Sequence, residues 1–126
     1  MNVVDSSGWL EYFASGKNVH FFAMAIQETD SLIVPTICLY EVFKRMFSQR
    51  GEDEALQAVG FMSLGATAEL TQEIAINAAL ISNELKLAMA DSIILATARA
   101  YEATLWTQDA DYAEIEGVKY IEKTGA

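Results

Sequence analysis

Leu32-Ile33-Val34-Pro35-Thr36-Ile37-Cys38-Leu39-Tyr40-Glu41 carries the reading that decides the fold. Three aliphatic residues in a row are the pattern of a short strand buried on both faces, and Pro35-Thr36 marks its end. Thr36 is the expected N-cap of a helix over 37–49, and Gly51 stops it. A buried strand that feeds directly into a long helix is the first half of a strand–helix–strand crossover. Such crossovers are right-handed and build parallel sheets.

Toward the N-terminus, residues 2–4 predict a short buried strand that stops at Asp5. Ser6 or Ser7 is expected to cap a helix to about residue 14, with Gly16 just past its end, and a second helix covers about 18–27. Toward the C-terminus the pattern predicts a helix over 52–62, a strand over 66–70 and a helix opened by Thr71 that runs to about 85. Asp91 is expected to open, as N-cap, a helix to about 102, and strands follow at Thr104–Thr107 and 118–121. Short strands alternating with long helices define an α/β chain of three layers, a mostly parallel five-stranded sheet with helices on both faces. With no repeat, low-complexity tract or linker, 1–126 is expected to form one domain.

Composition narrows what the domain can do. Apolar residues make up 52% and mean hydropathy is +0.19, above the usual share of about 45–50%. That predicts apolar surface left over for a dimer or a protein partner. Eight Lys+Arg against 18 Asp+Glu give a net charge of −10, which opposes general nucleic-acid binding because that rests on cations neutralising phosphates. Any RNA or DNA activity on this chain therefore needs a local basic patch, metal ions, or both. Cys38 is the single cysteine and cannot form an internal disulfide. No start with an apolar leader core and no run approaching the ~20 apolar residues of a bilayer span is found. The expected location is cytoplasmic, away from membranes.

The acidic residues fall in a telling pattern. In a parallel sheet, ligands bind at the carboxyl edge of the strands. Asp5 ends the first strand and Asp109 follows Thr104–Thr107 by two residues, so both belong to that edge. Connecting helices run back antiparallel, which brings their N-terminal turns there too: Glu41 lies early in the helix after Pro35, and Asp91 begins its own. Four carboxylates from remote stretches are thus expected to converge. Two like charges 4 Å apart repel by about 4 kcal/mol at an effective dielectric of 20, so either protons or a cation must relieve them. His20 and Cys38 lie at no predicted site position. The donor set is all oxygen, which suits Mg²⁺ or Mn²⁺ better than zinc.

At these residues the sequence resembles the PIN-domain family, in particular ribonuclease toxins of VapC type. The matching pieces are Val3-Val4-Asp5-Ser6-Ser7 and Pro35-Thr36-Ile37-Cys38-Leu39-Tyr40-Glu41-Val42, then Leu87-Ala88-Met89-Ala90-Asp91-Ser92 with the helix that follows, and Leu105-Trp106-Thr107-Gln108-Asp109-Ala110-Asp111-Tyr112. They stand in family order across essentially the whole chain. The resemblance implies a PIN fold, Mg²⁺- or Mn²⁺-dependent RNA cleavage, a homodimer, and a cognate antitoxin that covers the active-site groove. It implies that Asp5, Glu41, Asp91 and Asp109 are the family's acidic quartet and Thr107 its neighbouring hydroxyl. Ser6 or Ser7 would contact the site, and Asp111 matches the second acid of the last motif.

Other residues carry two readings each. Lys44 and Arg45 follow Glu41 at i+3 and i+4, the spacing of helix ion pairs worth about 0.2–0.5 kcal/mol; the functional reading has them guide an RNA phosphate, with Arg99 a further candidate. His20 and Cys38 have no orienting third group and read as packing. The helix around Val19-His20-Phe21-Phe22-Ala23-Met24-Ala25-Ile26 is apolar almost all round, as is Val42-Phe43 with Met46-Phe47. That predicts burial on every side, by the core or by a groove these two helices share for an amphipathic antitoxin segment. Two competing functions remain open on the residues alone. One is a metal-dependent phosphohydrolase of small phosphate esters; the other is a non-catalytic RNA-binding or dimerising module.

Overall fold

The computed structural model describes residues 1–124. Its elements run β1 (Asn2–Val4), α1 (Ser6–Phe13), α2 (Val19–Ile26), β2 (Leu32–Pro35), α3 (Thr36–Arg50), α4 (Glu52–Met62), β3 (Ala66–Ala68), α5 (Gln72–Leu85), α6 (Met89–Ala100), β4 (Thr104–Thr107) and β5 (Val118–Tyr120). Single 3-10 turns cover Thr29–Ser31 and Ala110–Tyr112. The five strands form one sheet in the order β3-β2-β1-β4-β5. Every ladder is parallel, with Val3 beside Ile33 on one side and Val4 beside Trp106 on the other. The α/β class and the five-stranded sheet follow the expectation, and the sheet is parallel throughout.

Both faces of the sheet are covered, which explains why its central strands read as unbroken apolar runs. Val3, Val4, Val34 and Leu105 are fully buried, and the core they join includes Trp9, Phe22, Ile94 and Tyr112. Strand order reverses at β1, so chain leaves β1 and β4 toward opposite flanks and a crevice opens at their carboxyl ends. That crevice is where open α/β sheets bind ligands. Gly8 lets α1 sit close enough to line it: a Cβ there would stand 2.6 Å from both the Phe22 ring and the Val4 side chain.

Several helix ends differ from the sequence expectation, each for a local reason. Asp5, not Ser6 or Ser7, caps α1: β1 stops at Val4, so Asp5 is the last extended residue and its carboxylate reaches the Gly8 N–H. Pro35 remains in the strand and stands at the N-cap position of α3, so Thr36 is already helical. Asp91 is not a cap. Ala88 is the extended residue before α6, its carbonyl accepts from the Ser92 N–H, and Asp91 lies inside the first turn with its carboxylate released from capping. β3 ends at Ala68, short of the expected 70, and Thr71 caps α5 as read, accepting from the Ile74 N–H at 3.2 Å.

The apolar helices also need correcting. α2 buries Phe22, Ala25 and Ile26, yet His20 is exposed and Met24 is 62% exposed. It packs on α1 and β1, whereas α3 packs chiefly on α4, so α2 and α3 do not build a joint groove. The apolar hollow lies instead between α3 and α4, formed by Leu39, Phe43, Phe47 and Val59. Cys38 is buried, as expected of a packing residue.

Candidate active site

Asp5 is the anchor of the crevice. It ends β1 only 3% exposed, and its carboxylate accepts hydrogen bonds from the Gly8 N–H at 2.9 Å, the Thr107 hydroxyl at 2.6 Å and the Ser7 hydroxyl at 2.9 Å. The Thr107 oxygen in turn accepts from the Asp109 N–H at 2.9 Å. One hydroxyl at the end of β4 therefore ties the acid of β1 to the backbone of the next acid. Glu41 is held from the other side, accepting from the Ser6 hydroxyl at 2.6 Å. Removal from water pushes Asp5 up to about 6 despite these donors, and the charge of Asp109 adds to the effect.

Asp91 stands opposite, in the first turn of α6. Partial burial, then the negative charge of Asp109, pushes it up to about 6 as well. One carboxylate oxygen from each of Asp91, Asp109 and Asp111 lies within 4.8 Å of the other two. The 3-10 turn creates this trio: the Asp109 carboxylate caps it by accepting from the Asp111 N–H at 2.9 Å, which folds Asp111 back toward α6. Tyr112 closes the turn from below. Its ring is fully buried and its hydroxyl donates to the Asp91 main-chain carbonyl at 2.9 Å.

Asp91 and Asp109 of the trio open into one groove of about 720 Å³. Asp5, Ser6, Ser7, Glu41, Asp91 and Asp109 line it, and so do Lys44 and Arg45. Thr107 lies buried beneath it. Asp5 and Glu41 line the same groove outside the tight trio, Asp5 held by Ser7, Gly8 and Thr107 and one Glu41 oxygen by Ser6. Asp111 belongs to the trio. Arg99 does not line the groove; it is exposed in the last turn of α6, at the end away from Asp91. Sequence reasoning missed Tyr40, Ser48 and Tyr112. Ser48 was recoverable, since 41, 44, 45 and 48 share a helical face; the place of Tyr112 depends on the turn and leaves no trace in periodicity.

The donor set can be tested against a metal on its chemistry. The close trio is carboxylate only, with no nitrogen or sulfur ligand nearby: the Cys38 thiol is buried against the Val4 carbonyl, and His20 is exposed on α2. None of the site acids forms an ion pair among the described residues. Unpaired carboxylates held within a few ångströms of each other fit a hard divalent cation.

The sequence model of the PIN domain matches residues 3–118. The chain belongs to the PIN-domain family. Among curated protein sequences none matches it significantly. Solved structures are similar over nearly their full length. A toxin–antitoxin complex from Klebsiella pneumoniae shares 26% identity, covering 94% of this chain and 96% of that one, with a TM-score of 0.77. VapBC2 of Rickettsia felis, bound to a DNA fragment from its promoter, gives 12% identity, 96% and 97% coverage and a TM-score of 0.75. VapC20 of Mycobacterium tuberculosis, a toxin that cleaves the sarcin-ricin loop, gives 14%, 92% and 95%, and 0.74. The latter two are likenesses of fold.

Proposed function

We propose that this chain is a single-domain, Mg²⁺- or Mn²⁺-dependent endoribonuclease, the toxin of a toxin–antitoxin pair. The observation that carries the reading is the carboxylate trio of Asp91, Asp109 and Asp111 at the mouth of a groove that Asp5 and Glu41 also line. Family membership and the likeness to a toxin–antitoxin complex support it.

Asp91, Asp109 and Asp111 hold the ion, with Asp5 and Glu41 alongside. When bound, such an ion acidifies a water and stabilises charge on a phosphodiester undergoing attack. The chain's own groups do the positioning. Thr107 keeps Asp5 oriented and sets the Asp109 backbone, Ser6 orients Glu41, and Ser7 supports Asp5. Lys44 and Arg45 receive the phosphate. They supply the local positive charge that a chain of net charge −10 otherwise lacks.

The protein acts in the cytoplasm as a homodimer, and its antitoxin covers the apolar hollow between α3 and α4. Among the described residues no helix is long and apolar enough to cross a membrane. Exposed Phe47, at 51%, and Met24, at 62%, illustrate the apolar surface available to partners.

The test is cleavage of total RNA and of a small phosphodiester, with Mn²⁺ and with chelator. RNA is expected to be cut only with the metal, and Asp91→Asn to reduce cutting to background. Turnover of the small ester alone would favour the phosphohydrolase; no turnover of either, with metal bound, would leave a binding module.

A further inference from the structure

One exposed aromatic stands in the groove with no part in the metal site. Tyr40 is 60% exposed, immediately precedes Glu41, and borders both the acidic groove and the apolar hollow. Lys44, one turn on, places its ammonium 5.7 Å from the centre of the ring. Arg45 lines the same groove. An aromatic face interleaved with cations is how proteins grip single-stranded nucleic acid: bases stack on the ring while the cations follow the backbone.

Resting on the nuclease reading, we propose that Tyr40 is the platform on which an unpaired RNA base stacks beside the scissile phosphate, with Lys44 and Arg45 on the flanking phosphates. Tyr40 can therefore serve only a base that is unpaired at that position. A paired base has both faces occupied within its helix and offers none to Tyr40. A duplex also brings one charge per about 1.7 Å of axis, which a surface of net charge −10 opposes. Stacking is indifferent to charge, and so supplies grip where electrostatics on this chain is poor. A protein segment is better placed further along the hollow, over Phe43, Phe47 and Val59, because seating one on the corner itself would bury Lys44 and Arg45, two cations that a phosphate would instead neutralise.

The test compares wild type, Tyr40→Leu and Tyr40→Phe in Mn²⁺ on an RNA hairpin cut in its loop. Companion substrates are the same hairpin made abasic beside the cut, and a fully paired duplex of the same sequence. Stacking is worth about 1–3 kcal/mol per base, so Tyr40→Leu is expected to lower kcat/KM about 5- to 150-fold, while Tyr40→Phe keeps the wild-type value. On the abasic hairpin the gap between wild type and Tyr40→Leu closes, and the duplex is cut poorly by every variant. Hairpin binding, measured by anisotropy in the Asp91→Asn background, falls by the same factor on Tyr40→Leu. Equal kcat/KM for Tyr40→Leu and wild type overturns the proposal and assigns Tyr40 to the protein-facing hollow. A deficit that persists on the abasic hairpin overturns it too. If the wild type cuts no RNA, the nuclease reading is what fails, and the anisotropy comparison still decides on Tyr40.

Discussion

Thr107 is a single hydroxyl with two duties, donating to Asp5 and accepting from the Asp109 N–H. Thr107→Val keeps the shape and removes both bonds. Groups that orient metal ligands typically contribute 10- to 100-fold in metal affinity, so calorimetric Mn²⁺ titration is expected to show a loss of about that size, with Thr107→Ser recovering most of it. Asp111→Asn is expected to weaken Mn²⁺ binding as much as Asp109→Asn, since both acids belong to the close trio. Asp5, Glu41, Asp91 and Asp109 were legible in the sequence because each sits at a strand end or an early helical turn, and a parallel sheet brings all such places to one edge. The nearness of Asp111 to Asp91 was not legible. It arises from a 3-10 turn over Ala110–Tyr112, a backbone detail that no alternation of polar and apolar residues encodes.

Among the elements, α1 shows how the site depends on close packing. Gly8 both donates its N–H to Asp5 and leaves room for Phe22 and Val4. Gly8→Ala forces a methyl into contacts of 2.6 Å. Overpacking of this kind costs about 1–3 kcal/mol, so thermal melting is expected to show a drop of several degrees, together with weaker Mn²⁺ binding as Asp5 shifts. The order of strands and helices was legible because aliphatic runs alternate with helical stretches. Helix starts were less so: Asp91 looks like a cap, yet α6 begins at Met89 because the extended Ala88 already supplies the first carbonyl. α2 misled for a related reason. Its composition is apolar all round, but an eight-residue helix on the flank of the sheet buries one side and leaves Met24 in solvent.

At the scale of the molecule, burying the crevice acids makes stability depend on pH. Asp5 titrates near 6 when folded against an ordinary value of 3.8. The folded state therefore favours its neutral form; that advantage is complete below about pH 4 and is lost as pH rises through about 6. Two pH units amount to about 3 kcal/mol. The chelated protein is accordingly expected to melt several degrees lower at about pH 7.5 than at about pH 5; Asp5→Asn reduces the difference, and Asp91, also pushed up to about 6, keeps part of it. Saturating Mn²⁺ should restore the melting point at the higher pH, since a ligand bound only by the native state stabilises it. Strand order has a different consequence. β4 is fourth in the chain but lies next to β1, so Asp5 waits through more than a hundred residues of synthesis for Asp109 and Asp111 to be made. On the nuclease reading proposed above, a nascent chain that has not yet emerged past β4 holds Asp5 and Glu41 without Asp109 or Asp111, and has no carboxylate trio with which to take up a cation.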